Sequence, residues 1–176
     1  MSQKKDLFEY FVYLVYQWYC EAKNLDFNQG GNNDLSKLKL IKLHFFACST
    51  SDSALRIFNN FHALPYGHVE SDVYQIIDQL NNFTITKSSL VIKSNFSIES
   101  ILTSISPEDK SIIDEIVNNL KNRNRILVTY TAFDLVELSH KWFSWQYSFE
   151  QAKKKGSLSS YIDKSLISNE LKIYSF

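Results

Sequence analysis

The sequence predicts a mainly α fold: a compact single-domain multi-helix bundle over residues 1–176, with one small β-hairpin near residues 83–93. Two observations predict this class. Large apolar residues recur at three- and four-residue steps in several segments, a spacing that places them on one face of a helix. A hydrophobic share of 44%, with only 4 Gly and 2 Pro, is typical of a globular chain with few breaks. A chain of this length fits one domain with one core.

Two helices are predicted in the first part of the chain. The first covers residues 7–22, and an Asn-rich loop at 28–33, which contains Gly30, ends it. In residues 35–48 the alternation of Lys and Leu is typical of a strand as far as Leu40, where a continuous apolar run begins. Because this segment is about fourteen residues long and consists largely of good helix formers, we predict a helix.

The next part of the chain is predicted to connect two helices through a sharp turn. Residues 49–64 form the connecting segment, and the tetrad Pro-Tyr-Gly-His that begins at Pro65 forms the turn. Proline fixes one backbone dihedral, and Gly67 permits a positive one, so the chain can reverse there. Ser71 or Asp72 is then expected to cap the following helix.

Two short elements are also predicted. The β-branched runs at residues 83–86 and 90–93 flank a Lys-Ser-Ser segment, a pattern that favours a small hairpin. Near the end of the chain, residues 168–170 read Ser-Asn-Glu and are expected to cap one last helical turn that ends at Tyr174 and Phe176.

Two strong helix starts lie in the second half of the chain. Ser106 followed by Pro107, with an acid at the third helical position, satisfies free backbone N–H groups and complements the helix dipole. Thr131 and Asp134 repeat the cap without the proline. The helix that starts there is expected to continue toward Gly156.

Charge and cysteine content exclude several classes of partner and location. Nineteen basic residues balance nineteen acidic ones, so the chain lacks the positive field that supplies most affinity for nucleic acid. Membrane-spanning helices need about 18–20 uninterrupted apolar residues, and no segment provides them. Glu9, Gln17 and Glu21 interrupt the apolar N-terminal segment, which is therefore not a targeting signal. With Cys20 and Cys48 as the only cysteines, we expect a soluble protein of the reducing cytoplasm.

The sequence contains no recognisable catalytic motif. It has no Gly-x-Ser-x-Gly elbow, no phosphate-binding loop, no Gly-x-Gly-x-x-Gly and no His-Glu-x-x-His. His44 and Cys48 are four residues apart, which suits two metal ligands on one helix face, but a metal site needs further ligands. We expect a buried cysteine beside a hydrogen-bonded histidine. The sequence therefore predicts neither enzymatic activity nor a metal or cofactor.

Aromatic residues are concentrated between positions 142 and 149. On one continuous helix they would surround nearly the whole circumference, which would leave some exposed as a protein-binding surface. A bend after Trp142 would instead bury them all, and the sequence leaves both interpretations open. The residues concerned are Trp142, Phe143, Trp145, Tyr147 and Phe149.

Two polar features flank this aromatic segment. His140 is expected to be structural, held by a backbone or hydroxyl partner. The three lysines at 153–155 precede Gly156, where cations stabilise the negative end of a helix. We favour that interpretation over a nucleic-acid patch.

Three separated blocks of the sequence carry a resemblance to a known family. The first, residues 38–47, reads Leu-Lys-Leu-Ile-Lys-Leu-His-Phe-Phe-Ala; the second, residues 63–74, begins Ala-Leu-Pro-Tyr-Gly-His-Val-Glu. The third is Leu-Ser-His-Lys at 138–141, with Trp145 five residues beyond the His. In this order and spacing they resemble the Panacea domain of SocA-type antitoxins, and residues 168–170 are similar to the family's usual closing turn. The resemblance covers most of the chain.

At two positions the sequence departs from the family pattern. His68 stands where a proline usually follows the glycine, and Trp142 stands where an acid is common after Ser-His. These departures concern the local turn geometry.

The resemblance implies a cytoplasmic antitoxin of a type II toxin–antitoxin pair, from a bacterium or a phage. Such a protein binds and neutralises a cognate protein toxin encoded by the adjacent gene, without catalysis. A proteolytic adaptor that delivers a client toxin to a AAA+ protease is the alternative, and an enzyme of unrecorded type comes third. The candidate partner-binding or family-motif residues are Tyr66, Gly67, His68, Val69, His140, Trp142 and Trp145.

Overall fold

The computed structural model describes residues 2–27 and 32–176, and within these ranges the chain is mainly helical, as predicted. Two short antiparallel sheets accompany the helices. The predicted loop at 28–33 lies largely outside the described residues. The helices are α1 (Ser2–Lys23), α2 (Lys37–Cys48), α3 (Asp52–Ile57), α4 (Ser71–Ile76), α5 (Ile98–Thr103), α6 (Pro107–Arg123), α7 (Ala132–His140), α8 (Phe143–Lys154) and α9 (Lys164–Asn169). The strands are β1 (Phe61–Leu64), β2 (Gly67–Glu70), β3 (Phe83–Ile85), β4 (Leu90–Ile92) and β5 (Ser160–Tyr161).

Helix α2 lies at the centre of the fold and packs against α6, α7 and β2. Ten of its twelve residues are buried, including Lys39 and Lys42. A helix that is enclosed on all sides shows no single apolar stripe, which is why the Lys/Leu alternation resembled a strand. Helix α1 packs against α6, but its burial is not confined to the one face that its spacing predicts: no residue from 4 to 20 is exposed, whereas Ala22 is exposed.

The first sheet has the strand order β2-β1-β5, and all its pairings are antiparallel. Leu64 pairs with Gly67, so Pro65 and Tyr66 form a two-residue hairpin loop. The turn was predicted, but the connecting segment predicted at 49–64 contains helix α3 and strand β1. Strands of four residues are too short for periodicity to reveal.

The second sheet is the hairpin of β3 and β4, which confirms the hairpin predicted near 83–93. Helix α5 was not predicted, because its six residues are too few to show a helical repeat.

The caps predicted at Ser106 and Thr131 are present, whereas the one predicted at Ser71 or Asp72 is not. The Ser106 hydroxyl accepts a hydrogen bond from the Asp109 N–H, and Thr131 forms a complete capping box. Helix α4, in contrast, is capped by Glu70 rather than by Ser71 or Asp72. The Glu70 carboxylate accepts the hydrogen bond of the Val73 N–H at 2.7 Å.

The chain breaks between α7 and α8, so the helix that starts at Thr131 does not continue toward Gly156. Trp142 at the junction has an extended backbone with φ −79° and ψ 133°. The break buries Trp142 and Phe149 but leaves Phe143 and Tyr147 exposed. The chain therefore bends at Trp142, as the second interpretation required, but some aromatic residues remain exposed, as the first required.

The final segment was predicted incorrectly. Residues 168–170 end helix α9 instead of starting a last turn, and the chain beyond them has no regular secondary structure. Tyr174 is buried, with its hydroxyl 3.0 Å from that of Ser49, whereas Phe176 is exposed. No helix in the ranges 2–27 and 32–176 has the length and apolar character needed to cross a membrane.

Candidate functional site

The predicted site residues form two groups that lie more than 60 positions apart in the chain, and the fold brings the two groups together. Four belong to the β1–β2 hairpin, and the other three lie at the α7–α8 junction. The indole N–H of Trp145 donates a hydrogen bond to the Leu64 carbonyl at 2.8 Å. The ring Nε2 of His140 lies 3.1 Å from the Pro65 carbonyl oxygen. These two contacts hold the hairpin loop against the helical junction.

His68 lies fully inside this region and connects three elements. Its ring stacks on Phe45 of α2 at 3.6 Å between centroids and 6° between planes. Its Nδ1 lies 3.0 Å from the Ser139 hydroxyl and its Nε2 2.8 Å from the Ser144 hydroxyl. Burial lowers the pKa of His68 well below its ordinary value, so the imidazole is neutral. One ring nitrogen therefore donates to a serine, and the other accepts from a serine.

Gly67 is required by two independent constraints. Its φ of +94° lies in the region that side chains disfavour. A β-carbon at this position would also lie 2.3 Å from the Ser139 hydroxyl oxygen and 2.9 Å from Lys42 Nζ. The glycine therefore allows the hairpin to approach α2 and α7 closely.

Lys42 is a buried amine without a carboxylate partner within 4.0 Å in the described part of the chain. Its Nζ donates a hydrogen bond to the His68 carbonyl at 2.6 Å. Burial lowers the pKa of Lys42 to about 7. The neighbouring buried lysine, Lys39, differs because its Nζ lies 2.8 Å from the Asp34 carboxylate. The Lys42 amine thus links α2 to β2 through a hydrogen bond, and its pKa lies near neutral pH.

Trp142 is a core residue. Its ring packs edge-on against Phe45 and Tyr174, at centroid distances of 4.9 and 5.7 Å. Its indole N–H donates to the Ile173 carbonyl at 2.9 Å, which ties the final segment of the chain to the α7–α8 junction. Val69 is also buried, so neither residue presents its side chain to a partner on the surface.

The site reaches the surface through aromatic side chains. Tyr66 at the hairpin tip is 59% exposed. His140 and Trp145 are half-buried and stack at 3.8 Å between ring centroids, which matches the structural role expected for His140. On the outer side of α8, Phe143 and Tyr147 stack on each other at 5.7 Å.

His44 and Cys48 are buried within α2, which matches the expected buried cysteine beside a hydrogen-bonded histidine. Cys48 Sγ lies 3.4 Å from His44 Nε2, and the imidazole meets the rings of Phe8, Phe11 and Phe58 edge-on. Burial lowers the pKa of His44 to about 3, so the ring is neutral. Within residues 2–27 and 32–176, no three potential metal-binding side chains of His, Cys, Asp or Glu come together.

Sequence reasoning missed four polar residues that organise the site. Lys42, Ser139 and Ser144 surround the β2 strand, and Glu70 ends it. The buried Glu70 carboxylate accepts hydrogen bonds from the backbone N–H groups of Asn60 and Val73 and lies 2.8 Å from Lys4 Nζ. Helix α2 contains lysines at 37, 39 and 42, and their local pattern does not distinguish Lys42 from the other two. Ser139 belongs to the Leu-Ser-His-Lys block but was not selected as a site residue. Ser144 had no signal, because its partner His68 is distant in the chain.

Comparisons with family models, with curated proteins and with solved structures found no match to this chain.

Proposed function

We propose that this protein is an antitoxin of the Panacea type that binds a protein toxin encoded by the adjacent gene and blocks it without catalysis. The observation that carries this proposal is the convergence of the motif residues into one hydrogen-bonded region that has aromatic side chains at its surface. Tyr66 and Trp145 reach the surface there, and Phe143 and Tyr147 follow the same junction on α8. Exposed aromatic side chains on a rigid support are the usual anchors of protein interfaces.

The burial of the reactive side chains supports a binding role. A nucleophile or general base must come within hydrogen-bond distance of its substrate. Ser139, Ser144 and His68 form a hydrogen-bonded chain, but all three are buried. Cys48 and His44 are buried in the same way, and burial raises the pKa of the Cys48 thiol well above its ordinary value, which disfavours the reactive thiolate. These groups serve packing better than they serve catalysis.

Co-expression tests the proposal. The adjacent gene is placed under one inducible promoter in a bacterial host and this chain under a second, and growth is followed with each alone and with both. We expect the neighbour alone to arrest growth, this chain alone to be harmless, and the pair to grow. A harmless neighbour, or a neighbour that stays lethal beside this chain, would overturn the proposal.

Co-purification of the two proteins tests whether they form a complex. We expect the two proteins to co-elute in size-exclusion chromatography, with a buried interface on the order of 1,200–2,000 Å². Rescue of growth without a complex would argue for an enzymatic or regulatory route instead of direct neutralisation.

A further inference from the structure

The outer face of α8 has a stripe of exposed side chains that run from its first residue to its last. Phe143, Tyr147 and Lys154 are four and seven residues apart, which places them on one side of the helix. The opposite side contains the buried Ser148 and Ala152. The stripe therefore faces away from the core along the whole helix.

The two rings of this stripe are less buried than Trp145 on the inner side of the helix, whose indole N–H bonds to the Leu64 carbonyl. Phe143 and Tyr147 are 55% and 49% exposed and stack on each other at an interplanar angle of 24°. Trp145 on the inner side is held by the Leu64 carbonyl and stacks on Phe149 at 5.0 Å. The outer pair offers apolar area that the fold itself does not cover, and burying aromatic rings is a large source of interface energy.

The segment around the stripe has a charge unlike that of the whole chain. Residues 141–162 contain four lysines and one acidic residue, Glu150, whereas the complete sequence has no net charge. The lysines at 153–155 are all exposed, and across residues 2–27 and 32–176 none has a carboxylate within 4.0 Å. Lys153 lies over the Phe149 ring at 5.1 Å, which leaves Lys154 and Lys155 as the ammonium groups directed to solvent.

We propose that this face, defined by Phe143, Tyr147 and Lys154 together with Lys155 just after the end of the helix, docks the partner protein through an apolar cleft and nearby carboxylates. The proposal rests on the antitoxin function and names the chemistry of its partner. The cleft receives the two stacked rings, and the carboxylates pair with the two lysines. A helix rises about 1.5 Å per residue, so the acidic groups lie roughly 10–18 Å from the cleft along the helix direction.

The position of Glu150 favours a polypeptide over a nucleic acid as the occupant. Stacking bases and phosphates would also suit two aromatic rings beside lysines. A nucleic acid, however, has a phosphate at every nucleotide, and Glu150 lies between the rings and the lysines. A protein surface can place a neutral or basic side chain opposite that carboxylate.

Binding measurements with the purified product of the adjacent gene test this surface. The variants are F143A/Y147A, which removes the rings, and K154E/K155E, which reverses the charges. Y74A and K87E are the matched controls, because Tyr74 and Lys87 are exposed but lie on α4 and in the β3–β4 loop. Kd is measured by calorimetry at low and high salt, and thermal unfolding confirms that each variant is folded.

We expect F143A/Y147A to weaken binding by about 30-fold or more, as anchor residues do. K154E/K155E should weaken it by about 10-fold at low salt, with a smaller loss at high salt, because screening shortens the reach of exposed charges. Both controls should stay within about twofold of the wild-type Kd.

The outcomes separate this inference from the function on which it rests. If the wild-type chain neither binds nor protects against the neighbour, the antitoxin proposal fails and this surface has no partner. If it binds and protects while F143A/Y147A binds equally well, only the docking surface is overturned. Wild-type binding of a labelled single-stranded oligonucleotide that F143A/Y147A abolishes would identify a nucleic-acid site. A dimer in sedimentation equilibrium that this variant dissociates would identify a second copy as the occupant. Either result would overturn the proposal.

Discussion

The buried region around His68 and the outer face of α8 are both rich in aromatic residues, but they differ in how far those residues are exposed to solvent. The rings of His68 and Trp142 have no exposure, and each has hydrogen-bond partners for its ring nitrogens. Phe143 and Tyr147 are about half exposed and contact each other. The first region fixes the shape of the hairpin and the α7–α8 junction. The second presents apolar area to solvent.

The largest expected effect is a loss of stability on replacing Trp142, and it should exceed the loss on replacing Trp145. Trp142→Ala should lower the free energy of unfolding by about 4 kcal/mol, because it removes a fully buried ring and leaves the Ile173 carbonyl without its donor. Trp145→Ala should cost about half as much, since this ring is only half-buried. Urea denaturation at pH 7 measures both, and binding to the neighbouring protein is recorded alongside. Equal costs, or no change in either stability or binding for Trp145→Ala, would contradict the division between core and surface.

Gly67→Ala tests the close approach of the hairpin to the helices. We expect a loss of about 3 kcal/mol or more, because the positive φ is strained and the new methyl group meets Ser139 and Lys42. Gly156→Ala is the matched control: it also has a positive φ, of 67°, but nothing lies within 4 Å of its added β-carbon. That variant should cost about 1 kcal/mol, the penalty of the backbone conformation alone. Similar losses for both glycines in urea denaturation would show that the steric contact is unimportant.

A pH-dependent effect of about 2 kcal/mol is expected from Lys42. Burial lowers its pKa from 10.5 to about 7 on folding. Between these values the unfolded chain holds a proton that the folded protein has lost, so this group makes the free energy of unfolding rise with pH. Below pH 7 the amine is charged in both states, and the cost of its burial is fully present.

Lys42→Met removes this contribution. The stability of the variant relative to wild type should fall by about 2 kcal/mol between pH 7 and pH 9, measured by urea denaturation at both values. Lys39→Met is the control, and its change should be smaller, because Asp34 stabilises the charged form of Lys39 in the folded protein. A pH-independent difference between wild type and Lys42→Met would mean that the amine stays charged in the folded state.

The features predicted from the sequence are those that neighbouring residues determine. The Ser106 and Thr131 caps bond to residues three positions away, so a local pattern is sufficient to reveal them. The β1–β2 strands and the break after His140 depend on contacts across the chain. No glycine or proline marks that break, and Trp142 leaves the helix because its ring enters the core beside Phe45.

The same limit applies to the candidate site. The resemblance selected residues that do meet in space, such as His68 and Trp142, but it could not tell a packed ring from an exposed one. Lys42 lies in the first block but was not selected as a site residue, because a lysine on a helix is normally solvated. Its burial depends on the His68 carbonyl, which the fold brings from 26 residues away. The exposed pair on α8 could be assigned only once the junction had fixed the rotation of that helix.

The smallest expected effect lies on that outer face. Phe143→Ala and Tyr147→Ala should each change the free energy of unfolding by less than about 0.5 kcal/mol, because about half of each side chain is exposed to solvent. Urea denaturation of each variant and of the double variant measures this. A loss near 2 kcal/mol from either ring would place it in the structural framework with Trp145. A small change in the free energy of unfolding combined with weaker partner binding would instead show that the inner aromatic residues of α8 stabilise the fold and the outer ones bind the partner.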